Sequence, residues 1–124
     1  ALLVHSTLPI MLSSSFHSVR CDDAHESDIK MIELVTSSLT IDGELMDAKP
    51  LLKLMDICTC AAAEKHTKVN CVTVSMGDVM FEYFPKCGDL LELTARPVYT
   101  GNTSLDVSLV VIAEGDRGAR NIVC

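Results

Sequence analysis

No apolar run in this 124-residue chain approaches the ~20 residues that a membrane-spanning helix needs, so nothing in it reads as a transmembrane helix. Positive charge is scarce: ten Lys and Arg stand against seventeen Asp and Glu, a formal charge of -7. That balance disfavours nucleic acid or an anionic membrane surface as partners through bulk field, and a polyanionic ligand would have to be received by local lysines. Metal-ligand spacing is missing as well. The six cysteines, at positions 21, 58, 60, 71, 87 and 124, follow neither zinc-finger nor redox spacing, and the histidines at 5, 17, 25 and 66 share no face. Cys21 with His25 is the nearest approach to a ligand pair, and no metal is expected. The cysteines read as reduced thiols, with Cys58 and Cys60 on different sides of one helix, which points to an intracellular compartment. There is no internal repeat and no low-complexity tract.

What is present is an ordinary globular composition, 48% hydrophobic and 22% charged, in a length that suits one domain with a single core. Residues 1–20 hold no acid and five serines, and the chain then turns polar over 21–28 (CDDAHESD). The break sets a boundary between an extension, residues 1–28, and a domain, residues 29–124. The extension is either leader-like in composition or an added strand. Within the domain, residues 31–35 (MIELV) read as a strand, Asp42-Gly43 as a turn, and Pro50 as the opening of a helix. Four β-rich runs follow, at 69–84, 89–99, 103–114 and 120–124, punctuated by turn-like segments at 85–88, 101–102 and 115–118. One helix and about five mostly antiparallel strands make an α+β domain. The last run is short for a closing strand, and an unfilled lane in a sheet exposes backbone groups. Either the strand continues past Cys124, or residues 1–4 or 8–19 fill the lane and bury Ile10, Leu12 or Phe16.

The helix, residues 50–66 (PLLKLMDICTCAAAEKH), carries the chemistry. At about 100° per residue, Leu51, Leu54, Met55, Cys58, Ala61 and Ala62 share one face, and Leu52, Thr59 and Ala63 fill its flank. Lys53 and Glu64 leave only a narrow polar stripe, so the helix is wrapped nearly all round. Asp56 stands at the edge of that wrapping. A carboxylate there is either an ion-pair partner of Lys53, three residues earlier, or an acid kept for catalysis.

The segments 43–45 (GEL), 51–56 (LLKLMD), 60–66 (CAAAEKH), 71–82 (CVTVSMGDVMFE), Gly88-Asp89 and 101–107 (GNTSLDV) occur in an order that resembles the hotdog fold, a curled antiparallel sheet wrapped around one central helix. They are most similar to its acyl-CoA thioesterase branch, in particular the eukaryotic enzymes with tandem hotdog domains. The resemblance spans about residues 30 to 124 in several separate blocks. It implies hydrolysis of a fatty acyl-CoA to free acid and coenzyme A, with coenzyme A part of the substrate and no separate cofactor. It also implies assembly with a second hotdog unit, as a homodimer or larger, and a cytoplasmic or mitochondrial location. The alternative is a non-catalytic hotdog unit that binds acyl-CoA or forms the structural half of a larger enzyme. By the same resemblance Asp56 is general base or nucleophile. Thr40 takes the place of an asparagine usual three residues before the glycine matched by Gly43. Backbone N–H groups around Lys49 and Leu51 at the helix start would hold the thioester oxygen. Thr103 and Ser104 match hydroxyl residues that orient the acid, its water or the substrate; Asp78 matches an acid that follows the second strand, but itself reads as solvated or turn-bonding. The run before Pro50 (DAK) is one residue longer than the family's and lacks its glycine.

Overall fold

The computed structural model describes residues 2–7, 28–77, 79–101 and 104–124. Asp78, Thr103, Cys21, His25 and the segment 8–19 lie outside the described residues. The elements in chain order are strands β1 (Leu2–Thr7) and β2 (Ile29–Leu34), the short strands β3 (Thr40–Ile41) and β4 (Leu45–Met46), and helix α1 (Ala48–Thr67). Strands β5 (Thr73–Met76), β6 (Leu90–Thr100), β7 (Ser104–Glu114) and β8 (Arg120–Ile122) follow.

Helix α1 begins two residues before Pro50. Asp47 has extended dihedrals, and its side chain accepts from the Lys49 N–H at 3.3 Å, which caps the helix. Pro50 therefore sits inside the first turn, where its missing N–H has no intrahelical partner to lose. The other end stops at Lys68, in the left-handed region at φ 62, whose N–H closes on the Glu64 carbonyl at 2.8 Å. Leu51, Met55, Cys58 and Ala62, at i, i+4, i+7 and i+11, are fully buried. Thr59 and Ala63 are buried beside them, whereas Leu54 and Ala61 are only half-buried. The buried stripe is thus centred further toward the flank than periodicity alone places it. The Thr59 hydroxyl escapes a penalty by bonding back to the Met55 and Asp56 carbonyls at 3.0 and 2.9 Å.

The sheet runs β2-β6-β7-β1-β5, with β8 also paired to β7, and every pairing is antiparallel. Leu91, Leu93 and Ala95 of β6 and Leu105, Val107, Leu109, Val111 and Ala113 of β7 point to the helix and are buried, as strand alternation demands. A sheet curled around one acid-bearing helix is the hotdog arrangement, and the domain is α+β.

Two features depart from the sequence pattern. Among its described residues the β-rich run 69–84 yields the four residues of β5; the ladder ends at Met76, and the Glu82 N–H donates to the Val123 carbonyl at 2.9 Å. The lane beside β7 is shared by two segments. β8 occupies it opposite Ile112–Glu114, and Val123 and Cys124 both bond to Val111, a bulge in which two residues face one. β1 then takes up the lane, with Leu2 opposite Leu109 and Thr7 opposite Ser104.

Candidate active site

Asp56 is half-buried on the side of α1 that faces β5. Its Oδ1 accepts a hydrogen bond from the Thr73 hydroxyl at 2.5 Å, and Cys60, one turn along the helix, places its Sγ 3.2 Å from Thr73 Oγ1 and 4.0 Å from Asp56 Oδ1. The ion-pair reading fails for this acid: the ion pairs among the described residues are Lys30–Glu92, Arg96–Asp28 and Arg120–Glu92, and Lys53 is exposed. Ile57 beside it is 45% exposed, so a carboxylate held by a hydroxyl, with a thiol next to that hydroxyl, opens beside an uncovered apolar side chain.

The residues expected around Asp56 divide into groups. Thr40, Lys49 and Leu51 lie at the start of the helix, where the Asp47 N–H bonds the Leu39 carbonyl at 2.9 Å, and Gly43 is in the turn between β3 and β4. Lys49 and Asp56 are seven positions apart on one helix, about 10 Å along its axis. The two groups therefore do not meet within one chain. The helix-start donors are also spoken for locally. The Lys49 N–H is directed to the Asp47 carboxylate, the Leu51 N–H lies 3.5 Å from the Asp47 carbonyl, and the Thr40 hydroxyl donates to the Ser37 carbonyl at 2.7 Å. Gly43 is a turn residue: Asp42 and Gly43 have φ of 55 and 78, and the Glu44 N–H closes on Ile41 at 3.3 Å. Ser104 precedes buried Leu105 on β7, so its side chain belongs to the sheet face turned away from α1 and does not meet Asp56.

Thr73 is the residue that sequence reasoning missed. It lay inside a β-rich run and inside the block 71–82 that carries the family resemblance, without being singled out there. The available signal was two hydroxyls, Thr73 and Ser75, among apolar side chains in 71–76 (CVTVSM), and nothing local said that this strand would lie against the acid or which hydroxyl would face it.

Of the described cysteines none is in a disulfide. Cys58 lies in the core, 3.8 Å from the Leu93 carbonyl, and burial pushes its thiol up to about 11. Cys60 points the other way, into the site.

The fold and the acid on its helix define a hotdog domain of thioesterase type. A model of the thioesterase superfamily matches residues 50–119, and the chain belongs to that family. Among curated proteins it is 39% identical over 83 residues to an acetyl-coenzyme A thioesterase of Mus musculus, covering 66% of this chain and 15% of the relative. It is 30% identical over 88 residues to an acyl-coenzyme A thioesterase 11 of the same organism, covering 71% and 15%. The chain thus spans about 15% of the length of these relatives. Among solved structures, an apo-hexameric acyl-CoA thioesterase superposes with a TM-score of 0.77 at 27% identity, over 81% of this chain and 65% of that one. An acyl-CoA hydrolase from Bacillus cereus gives 0.77 and 27%, over 81% and 62%. No helix among the described residues is long and apolar enough to cross a membrane.

Proposed function

We propose that this domain hydrolyses the thioester of a fatty acyl-CoA, with Asp56 as general base. The carrying observation is the Asp56–Thr73 pair in a chain whose relatives and structural neighbours are named acyl-CoA thioesterases and hydrolases. Thr73 occupies Oδ1 and leaves Oδ2 available to a water. Asp56 takes one proton from that water while its oxygen bonds to the acyl carbon. The tetrahedral intermediate then collapses, the C–S electron pair passes to the coenzyme A sulfur, and the sulfur takes the proton back from Asp56. In the nucleophilic variant Asp56 attacks first and an acyl anhydride is hydrolysed. Label in the Asp56 carboxyl after single turnover in ¹⁸O-water identifies the second route with water attack at the aspartyl carbon, and trapping of the anhydride by hydroxylamine identifies it with attack at either carbon. Coenzyme A is part of the substrate, and the route needs no cofactor.

The 10 Å between Asp56 and the helix start favours a site completed by a second hotdog unit, whose own helix start or Thr40 loop would serve this carbonyl. The hexameric structural neighbour is consistent with such assembly, and sedimentation as a stable monomer at micromolar concentration would refute it. Free thiols support an intracellular setting, cytoplasmic or mitochondrial. Nucleic acid and membrane stand outside the partner set on grounds of charge. A second reading, acyl-CoA binding without turnover, draws on the local use of the Lys49 N–H and the Thr40 hydroxyl.

One assay decides: release of coenzyme A from medium and long acyl-CoA by the parent and by Asp56→Asn. The expected loss is ~10²- to 10⁴-fold. Equal turnover removes Asp56 from the mechanism, and binding with no turnover by the parent establishes the second reading.

A further inference from the structure

We propose that Cys60 is a positioning residue of this site, holding the Thr73 hydroxyl so that its proton is committed to Asp56. The inference deepens the hydrolase reading and rests on it for its kinetic consequence, whereas its geometry stands without it.

The direction of each bond follows from counting protons. An ionised carboxylate only accepts, and a threonine hydroxyl has one proton and two lone pairs. The 2.5 Å contact to Asp56 Oδ1 uses that proton. In the 3.2 Å contact between Cys60 Sγ and Thr73 Oγ1, Thr73 must then accept, and the thiol is the donor. The thiol's other acceptor, Asp56 Oδ1, is further off at 4.0 Å. The chain therefore runs from Cys60 S–H to Thr73 O–H to Asp56. One lone pair remains on Thr73 Oγ1, placed to accept from the water that Asp56 Oδ2 activates. Without the thiol, the hydroxyl rotor is pinned from one side only, and water or a backbone carbonyl competes for its proton.

The helix repeat explains why this cysteine and not its neighbour has the role. Cys60 follows Asp56 by four positions and lies on the same side of α1, while Cys58 is turned into the core. Cys60 is half-buried, so truncation there leaves no closed cavity.

The test compares the parent with Cys60→Ala and Cys60→Ser. Cys60→Ala lowers kcat about fivefold, the worth of one neutral hydrogen bond, and leaves KM in place because the thiol does not touch substrate. Cys60→Ser keeps a donor and recovers most of the loss. Parent-like kcat in Cys60→Ala, or Cys60→Ser no better than Cys60→Ala, overturns the proposal. An infrared measurement is independent of turnover. The Cys60 S–H stretch, identified by its loss in Cys60→Ser, lies below that of a free thiol and moves up in Thr73→Val. A band already at the free-thiol position overturns the proposal. A parent that hydrolyses no acyl-CoA defeats the hydrolase reading instead, and the infrared band still decides whether the hydrogen-bond chain exists.

Discussion

Thr73 acts on Asp56 through one hydroxyl, and a hydroxyl can be deleted with little change of shape. Thr73→Val keeps the volume and removes the donor. Turnover should fall by about tenfold, the scale of a hydrogen bond to a charged group, whereas Thr73→Ser should stay within a few-fold of the parent in the same assay. A parent-like rate for Thr73→Val would make the contact incidental. Cys58 gives a prediction in pH. Its thiol is raised from 9.0 to about 11 by burial, so the folded state resists ionisation that the unfolded chain accepts. The associated stability is whole below pH 9 and is lost as pH rises toward 11, on the order of 2 kcal/mol. Urea midpoints across this window should fall more steeply for the parent than for Cys58→Ala, and parallel curves would contradict the assignment. At this scale Asp56 was legible because an acid interrupts an otherwise apolar helical pattern. Thr73 was not, because a strand threonine is commonplace and its partner lies seventeen residues away, reachable only once the sheet has closed on the helix.

The elements show the same division between local and long-range information. The helix declared itself through its apolar spacing, and its start was displaced by two residues because Asp47 supplies a cap that Pro50 obscured. The long strands β6 and β7 were legible from alternation and from the Gly101 turn. β5 was overestimated because a run of β-forming residues says nothing about whether a neighbour continues beside it. The turn over 85–88 has a clear anchor in Asp89, 6% exposed, whose Oδ2 accepts from the Lys86 N–H at 2.9 Å and the Tyr83 hydroxyl at 3.2 Å. Burial and the neighbouring Asp89 carboxylate together raise the Tyr83 phenol above its ordinary value. Asp89→Ala leaves two donors without their acceptor and should cost about 1–3 kcal/mol, measured as a lowered urea midpoint. An unchanged midpoint would show that water replaces the carboxylate at no cost.

Across the whole molecule, the outer face of the sheet is mixed. Ile32, Leu34, Val110 and Ile122 are exposed on it, while Glu92 draws in Lys30 and Arg120 at 3.1 and 3.3 Å. The topology has a sharper consequence. Among the described residues β5 has one ladder, with β1: Ser6 pairs with Thr73 on one side and Leu105 on the other, and Val4 with Met76 and Val107. Thr73 is therefore joined to the rest of the sheet, among the described residues, through Leu2–Thr7. A proline at position 4 cannot donate to a ladder, so Val4→Pro should loosen β5 and lower kcat while leaving the helix and the β6–β7 hairpin folded. Amide exchange checks this: protection should drop across Thr73–Met76 and persist in Leu90–Thr100. Uniform protection would mean that β5 is held without β1.

The β1 pairing also sets a clock. Leu2 meets Leu109, so docking the first strand closes a loop of about a hundred residues, whereas the β6–β7 hairpin closes on itself across a few. Loops of that size are slow to close and expose unpaired edges while they wait. β1 must stay uncommitted until the β6–β7 hairpin on which it docks has formed. The strand that bears Thr73 then joins the sheet through β1, so the Asp56–Thr73 pair is assembled late in folding, after the helix that carries the acid.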